Sequence, residues 1–376
     1  MSRLLHSQLL LWLSLGALGS GCGDTLPPYE KVVEHRLLSA PVRVVGPHEP
    51  LDVAEGFVAA EALPAETVEV TAFAVGPDGP VALNALDLRW IACELPPGAG
   101  AFACLSESFP LSLDGLGVCD FPDLDDLRAA GEPEEFGGPC LLSEDPSEGF
   151  EVPVTAGTLA GASLELTAIG ATPGGTPSEQ CARELLAGRA DVPNDCIYGV
   201  QVVPIGSEQR LLQWLSDEGI GDAEAPQSDE VDPVDVHPRV TSFQVSVLGD
   251  DDQPLAEPVE VPLGGTFEAR AGQRLRVDVT SPEEDLQEYR YPVNGGADFE
   301  TATEQYTGQW FITWGSLLSP VSIDADSYNE WTLESADEDA SRPADEVAHL
   351  YYVVRDGRNG AENWWISVRF VGEDGA

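Results

Sequence analysis

The sequence has very few positive charges. Lysine occurs once, at Lys31, and the 376 residues carry 18 basic side chains against 66 acidic ones, for a formal net charge of −48. A surface this acidic repels phosphate groups, which excludes nucleic acids and anionic lipid surfaces as partners. Two interpretations of the scattered acidic residues remain open. They bind cations or basic partners, or they keep the protein soluble, including in salty surroundings that screen repulsion within about 8 Å.

Long apolar runs are also missing. After the N-terminal segment no stretch approaches the roughly 18 consecutive apolar residues of a membrane-spanning helix, so none is expected in the mature chain. Apolar residues nevertheless make up 43% of the sequence, which is enough for real hydrophobic cores. A length of 376 residues suggests two domains of ordinary size.

The common enzyme signatures are absent as well. The sequence contains no G-x-S-x-G elbow, no H-E-x-x-H zinc motif, no phosphate-binding loop and no G-x-G-x-x-G. Outside the N-terminal segment the histidines are few and far apart: His35, His48, His237 and His349. We therefore predict that the protein is not an enzyme. The alternative is a hydrolase with a dispersed site, which would need a buried His–carboxylate pair in a cleft.

The first feature that is present is an N-terminal export signal. Arg3 precedes an apolar stretch over residues 9–18, and the small residues 19–21 lead to Cys22. This order is typical of a cleaved signal peptide, here residues 1–21, whose apolar part is too short to span a membrane.

The Gly21–Cys22 pair resembles the lipobox of bacterial lipoproteins, although Gly19 stands where that family usually has leucine. The resemblance implies that the Cys22 thiol takes a diacylglycerol and that the new amino terminus is acylated, typically with palmitate. Cys22 would then hold the protein on a membrane through its lipid, as an outer-membrane lipoprotein on the periplasmic face or the cell surface. Plain secretion with an unmodified Cys22 is the alternative.

Six further cysteines lie between residues 93 and 196, and residues 197–376 contain none. An even number in an exported chain predicts three disulfides. Fifteen pairings are possible, and we favour neighbours in sequence, each contributing on the order of 3 kcal/mol. A zinc site is the alternative, but there is no C-x-x-C and no histidine nearby. The favoured pairs are Cys93–Cys104, Cys119–Cys140 and Cys181–Cys196.

Alternating apolar residues predict a β-rich mature chain. The expected strands of the first half are 67–75, 86–93, 159–168 and 196–205, with a short helix over 178–188. The second half has strands over 240–248, 274–279 and 310–314. A hairpin of strands 349–354 and 364–370 closes the chain around an Asn-Gly turn. The predicted order is signal peptide 1–21, lipidated tether 22–36, disulfide-bearing domain 37–205, acidic linker 206–238 and second domain 239–376.

Both predicted domains contain the same order of features. An alternating strand, over 65–70 or 272–277, is followed by an acidic turn and a strand with an aromatic residue, and the chain ends in the hairpin around 351–360. This order resembles immunoglobulin-like and PKD-like domains, and the layout is similar to envelope lipoproteins of high-GC bacteria such as myxobacteria. The resemblance implies an all-β fold of two immunoglobulin-like β-sandwich domains in tandem. The first has a long disulfide-bearing insertion and a short helix.

Acidic residues crowd two turns of the second domain. Ca²⁺ takes six to eight oxygen ligands from a bent loop, so these turns are candidate calcium sites. Solvated acidic turns are the alternative, and no other cofactor is expected. The candidate ligands are Asp250, Asp252, Asp324, Asp326 and Glu330.

Aromatic residues also cluster in the second domain. Neighbouring residues on a strand point to opposite faces, so one residue of each adjacent aromatic pair is expected to leave the core. An outward strip of rings can stack on sugars or contact a protein, whereas cross-strand pairing would merely stabilise the hairpin. The candidate ligand-binding residues are Trp310, Trp314, Trp364, Trp365, Tyr351 and Tyr352.

These features together predict a non-catalytic protein of the cell envelope. Its expected task is protein binding, adhesion or scaffolding, with the membrane contacted through the lipid anchor. A carbohydrate-binding module that uses the aromatic residues for a polysaccharide is the alternative from another class.

Overall fold

A computed structural model describes residues 29–46, 53–95, 111–136, 138–143, 145–188, 192–220, 232–293, 298–334, 343 and 345–372. Cys22, His48 and Cys104 lie outside these ranges. None of the helices within them is long and apolar enough to cross a membrane.

Ten strands and four α-helices follow one another in the described part of the first half. The strands are β1 (Arg36–Ser39), β2 (Val42–Gly46), β3 (Thr67–Val70), β4 (Phe73–Gly76), β5 (Gly79–Pro80), β6 (Asp87–Leu95), β7 (Cys140–Leu141), β8 (Phe150–Glu151), β9 (Ser163–Ala171) and β10 (Cys196–Val203). The helices are α1 (Leu124–Ala130), α2 (Ala156–Leu159), α3 (Ser178–Leu186) and α4 (Glu208–Asp217).

Only strands and short 3-10 turns follow in the described part of the second half. The strands are β11 (Ser242–Leu248), β12 (Val259–Glu260), β13 (Thr266–Ala269), β14 (Arg274–Thr280), β15 (Glu288–Val293), β16 (Asp298–Thr303), β17 (Thr307–Ile312), β18 (Ser316–Leu317), β19 (Val321–Ser322), β20 (Asp326–Thr332), β21 (Val347–Arg355) and β22 (Ala361–Phe370).

The first domain is built around two facing sheets, with strand orders β2-β3-β8 and β10-β9-β6-β7. Val68 and Val70 of β3 and Leu164 and Leu166 of β9 point into one core between them. The other face of the four-stranded sheet is covered by α3, whose Leu186 is fully buried. Because α3 covers the outer face of the four-stranded sheet, the first domain is a β-sandwich with an added helical layer.

The strand predicted over residues 67–75 is two strands in different sheets. β3 ends at Val70, and β4 begins at Phe73 in a third sheet of order β1-β4-β5. The backbone N–H of Thr71 donates to the carbonyl of Pro41 at 3.1 Å, which turns the chain between them. The alternation of apolar residues continues through the turn, so the pattern alone cannot show this break.

Two of the favoured disulfides are confirmed. Cys119 is bonded to Cys140, and Cys181 is bonded to Cys196. The second bond joins α3 to the start of β10. Cys93 is disulfide-bonded as well, while its predicted partner Cys104 lies outside the described residues.

The second domain is an immunoglobulin-like sandwich of two five-stranded sheets, β12-β11-β14-β20-β18 and β13-β22-β21-β17-β19. The neighbours β11-β14-β20-β18 correspond to strands A-B-E-D, and β22-β21-β17 correspond to strands G-F-C. The closing hairpin is confirmed as β21 and β22, which place Tyr352 opposite Trp364. The all-β sandwich prediction is therefore confirmed.

The chain joins the fold earlier than the predicted tether over residues 22–36 allows. Val32 is fully buried, and its backbone N–H donates to the carbonyl of Ile312 at 2.8 Å. Lys31 forms an ion pair with Glu334 at 3.4 Å. Residues 29–36, at the end of the predicted tether, therefore belong to the folded protein.

Candidate functional site between the two domains

The outer face of the sheet that contains β21 is buried against the first domain. Phe311 and Tyr351 of this face pack with Val75 of β4 and with Val32. The Tyr351 hydroxyl donates to the carbonyl of Gly76 at 3.1 Å. The two domains therefore share an apolar contact in addition to their own cores.

The described parts of the predicted acidic linker, 206–238, are folded rather than solvated. Residues 208–217 form α4, and residues 232–238 are buried between the domains except for one position. The backbone N–H of Ala60 donates to the carbonyl of Asp235 at 2.8 Å. The acidic composition predicts a solvated segment, but Asp232 faces Arg290 and Asp235 faces Arg358, two arginines of the second domain.

Arg358 lies at the centre of a buried ion network between the domains. Its Nη2 is 3.2 Å from Oε2 of Glu61, and its Nη1 is 3.2 Å from Oε1 of Glu304. Glu61 also accepts a hydrogen bond from Nη1 of Arg210 at 2.6 Å. None of these four side chains is more than 12% exposed. Removing one partner would leave the others charged in a place that water reaches poorly.

Asp235 and Asp356 add two carboxyl groups to this network. Burial raises the pKa of Asp235 to about 9, and repulsion by Asp356 adds to the shift. Burial likewise raises the pKa of Asp356 to about 7. One oxygen of each, Oδ1 of Asp235 and Oδ2 of Asp356, has no hydrogen-bond partner. A buried carboxyl oxygen without a hydrogen-bond donor favours the neutral form of its group, which agrees with the raised pKa values of both aspartates.

Asp356 also orders the turn of the closing hairpin. Its Oδ1 accepts hydrogen bonds from the backbone N–H groups of Arg358 at 2.9 Å and Gly360 at 3.1 Å. The Asn-Gly turn that the sequence predicts thus carries the Arg358 side chain into the network. An aspartate that caps its own turn in this way is a common turn device.

Gly360 allows this turn to lie close to the buried segment over residues 232–238. A Cβ at this position would be 1.9 Å from Oδ2 of Asp356 and 2.8 Å from the carbonyl oxygen of Val236. We expect Gly360→Ala to lower the free energy of unfolding by about 1–3 kcal/mol, measured by urea denaturation. Gly372→Ala is the control, since its Cβ would meet nothing within 4 Å. Equal stability of the two variants would contradict the close contact.

A cleft of about 440 Å³ opens between the domains next to His237. Its volume falls in the range of small-molecule sites, about 300–1,000 Å³. Residues of both domains line it, with Arg43, Thr71 and Phe73 from the first and Glu362, Asn363 and Trp365 from the second.

His237 holds the two domains together at this cleft. Its Nδ1 accepts a hydrogen bond from the backbone N–H of Ala361 at 3.0 Å, and its Nε2 donates to the carbonyl of Val42. Burial lowers the pKa of His237, which keeps the ring neutral. Because the backbone occupies both ring nitrogens, His237 has a structural role rather than that of a general base.

Two arginines bring positive charge to the cleft. Arg239 is held by Asp285, with Nη2–Oδ1 at 2.6 Å and Nε–Oδ2 at 2.8 Å. Arg43 is exposed and forms no ion pair with the residues that the structure describes. Burial raises the pKa of Glu362, and the charge of Arg43 partly offsets this shift. The cleft therefore presents one guanidinium that is free for a ligand.

Four of the six candidate aromatic residues are unavailable to a ligand. Trp310, Trp314 and Tyr352 lie in the core of the second sandwich. Tyr351 leaves that core, as strand alternation requires, but the face it joins is buried against the first domain. The predicted strip of exposed rings does not exist, because both faces of β21 are covered.

Trp364 and Trp365 are partly exposed, and they lie on opposite faces of β22. Trp364 stacks on Phe243 with 5.9 Å between ring centroids. Trp365 lines the interdomain cleft. Of the six candidate aromatic residues, Trp365 therefore lines a concave site.

The candidate calcium ligands do not assemble into a site. Among the described residues, no group of three or more His, Cys, Asp or Glu side chains could hold a metal ion. Arg274 attracts Asp250, Asp252 and Glu330, so a guanidinium supplies the positive charge there. The other two candidates are Asp324 and Asp326, just before and at the start of β20.

A Ser–His pair lies on the interdomain face of the hairpin. Nδ1 of His349 and Oγ of Ser367 are 3.1 Å apart, and both side chains are buried. A Cβ on Gly79 would lie 3.2 Å from the His349 ring, so this turn covers the pair closely. The pair is not exposed to a substrate in this arrangement, and its location offers no support for the hydrolase alternative.

The comparisons with protein-family models, curated proteins and solved structures find no match to this chain.

Proposed function

We propose that this chain is a non-catalytic binding protein of the cell envelope and that its ligand occupies the interdomain cleft. The observation that carries the proposal is the cleft itself. It joins apolar and aromatic walls to one free guanidinium, Arg43, in a chain of net charge −48. Concave sites with a few polar groups among apolar walls are typical of ligand binding.

The chemistry around the cleft favours binding over catalysis. Two carboxyl groups with strongly raised pKa values, Asp235 and Asp356, are each 1% exposed. They are engaged in holding the domains together, and the backbone occupies both nitrogens of His237. A catalytic acid or base must reach a substrate within hydrogen-bond distance.

Two features support a location at the envelope. The N-terminal segment has the order of an export signal that ends in Cys22. Cys119–Cys140 and Cys181–Cys196 are disulfides, which persist in oxidising compartments outside the cytosol. A lipid on Cys22 would hold the cleft near a membrane without a spanning helix.

Fluorine NMR tests whether the cleft takes a ligand. The mature chain from residue 22 is labelled with 5-fluorotryptophan, and Trp364→Phe and Trp365→Phe assign two resonances. The probes are maltotriose, trigalacturonate, its methyl ester and benzoate. We expect at least one probe to shift the Trp365 resonance and to leave Trp364, on the opposite face, unchanged. If no probe shifts Trp365, the proposal is wrong and protein binding or adhesion becomes the favoured alternative.

A further inference from the structure

We propose that the cleft binds a sugar acid, a pyranose ring that carries a carboxylate, and that Arg43 binds this carboxylate. This inference rests on the proposed function, because it names the ligand class of the same cleft. Three properties of the lining carry it: a fixed aromatic wall, one guanidinium without an ion pair among the described residues, and several polar groups with unused hydrogen-bonding capacity.

Trp365 provides a wall with a fixed orientation. The backbone N–H of Gly264 donates to the carbonyl of Trp365 at 2.9 Å. Gly264 has a φ of +75°, and a Cβ there would lie 3.1 Å from the indole ring. His349 flanks the indole, with 6.3 Å between ring centroids. Because these neighbours hold the ring, stacking a ligand on its open part requires little ordering of the side chain.

Phe73 provides a second apolar surface from the first domain. Its ring is held edge-on to Tyr351 with 6.2 Å between centroids. The face of a pyranose ring presents C–H groups, which pack on aromatic rings as other apolar groups do. A ligand in the cleft therefore meets aromatic surfaces from both domains.

Arg43 selects for a negative charge on the ligand. It lies opposite Glu69 in the β2–β3 ladder and acts on Glu362, yet it forms an ion pair with neither. A planar guanidinium binds a carboxylate through two parallel hydrogen bonds. A phosphate carries more charge, and the acidic surface of this protein would repel it more strongly.

The remaining polar groups fit hydroxyls. The Thr71 side chain is exposed at the cleft. Asn363 accepts a hydrogen bond from Ser39 through Oδ1, which leaves its N–H groups for other acceptors. Glu362 adds carboxyl oxygens. A fatty or simple aromatic acid would leave these groups unused, so the lining favours a hydroxyl-bearing ligand.

The test compares two probes that differ only in charge. Titration of the labelled mature chain with trigalacturonate is expected to shift the Trp365 resonance. Its methyl ester, with the same rings and no charge, is expected to bind at least tenfold more weakly. Arg43→Gln should weaken trigalacturonate at least tenfold and change ester binding less than twofold. Arg369→Gln, an exposed arginine of β22 that does not line the cleft, is the matched control and should change neither.

Each other outcome has a definite meaning. Equal binding of the acid and the ester, or an unchanged affinity in Arg43→Gln, would overturn the sugar acid and leave the proposed function standing. If glucose 6-phosphate binds more tightly than glucuronate, the sugar-acid proposal is wrong and the cleft binds a sugar phosphate instead. If neither galacturonate probe nor maltotriose nor benzoate shifts Trp365, the proposed function fails with it.

Discussion

Arg358→Ala is expected to lower the free energy of unfolding by about 3–5 kcal/mol at neutral pH. The substitution leaves Glu61 and Glu304 without the guanidinium that lies 3.2 Å from each of them. Asp235 loses the charge that lowers its pKa. These acids come from both domains, so their repulsion acts directly on the interdomain contact. Urea denaturation followed by tryptophan fluorescence measures the loss.

Arg183→Ala is the matched control for this loss. Arg183 also meets two acidic residues, with 2.6 Å to Asp114 and 2.8 Å to Glu179, but these groups are 43–68% exposed. Exposed ion pairs contribute little to the free energy of unfolding because water already solvates both charges. Similar losses in the two variants would contradict the view that burial makes Arg358 important. The loss of unfolding free energy in Arg358→Lys should lie between those of Arg358→Ala and Arg183→Ala. Lysine keeps the positive charge but lacks the planar guanidinium that reaches two carboxylates.

The parts of the fold with local signals were predictable from the sequence. The closing hairpin follows from two alternating strands around an Asn-Gly turn, and β21 and β22 confirm it. The placing of Trp310 and Ile312 on one face also follows from alternation, and both are buried in the second core. Such features depend on residues a few positions apart, where geometry leaves little choice.

The sequence contains a signal for the contact between the domains, the continuous apolar run of the first strand of the closing hairpin. Residues 349–354 are apolar or aromatic at almost every position rather than at every second one. A run of this kind is typical of a strand buried on both faces, and β21 is such a strand. The sequence predicts a ligand-binding strip of these aromatic residues because it does not show that the first domain covers the second face of the strand.

The ion network and the free arginine of the cleft were not predictable from spacing. Glu61, Asp235, Glu304 and Arg358 are separated by many tens of residues, and 66 acidic side chains hide the few that matter. The small number of basic residues is the feature of the sequence that indicates where a buried ion pair can form. With 18 basic residues in 376, an arginine beside an apolar hairpin is a candidate for a buried partner.

From pH 7 to pH 9 the free energy of unfolding is expected to fall by about 2–3 kcal/mol through Asp235 and Asp356. Burial raises their pKa values in the folded chain to about 9 and about 7, against an ordinary value of 3.8. The folded state therefore binds protons that the unfolded state has lost. Their contribution to stability is complete below pH 3.8 and is lost as the pH rises through the folded pKa values.

This pH window separates the pair from the buried histidines and from Tyr351. Burial lowers the pKa of His237 and of His349, so both are neutral above pH 7 in either state. Burial raises the pKa of Tyr351 beyond its ordinary value of 10, so its effect begins at higher pH. Urea denaturation at pH 7, 8 and 9 is the measurement.

Asp235→Asn tests whether Asp235 and Asp356 cause the fall in unfolding free energy between pH 7 and pH 9. Asparagine resembles the protonated aspartate in shape and carries no charge at any pH, so it removes the carboxyl group that must hold a proton when buried. The free energy of unfolding of the variant should therefore change less between pH 7 and pH 9 than that of the natural sequence. At pH 9 the variant should be the more stable of the two. Asp125→Asn, at a side chain that is 90% exposed, should keep the natural slope. A natural slope in Asp235→Asn would show that the protons are lost elsewhere, because only a buried and uncompensated carboxyl group can hold one so far above its ordinary pKa.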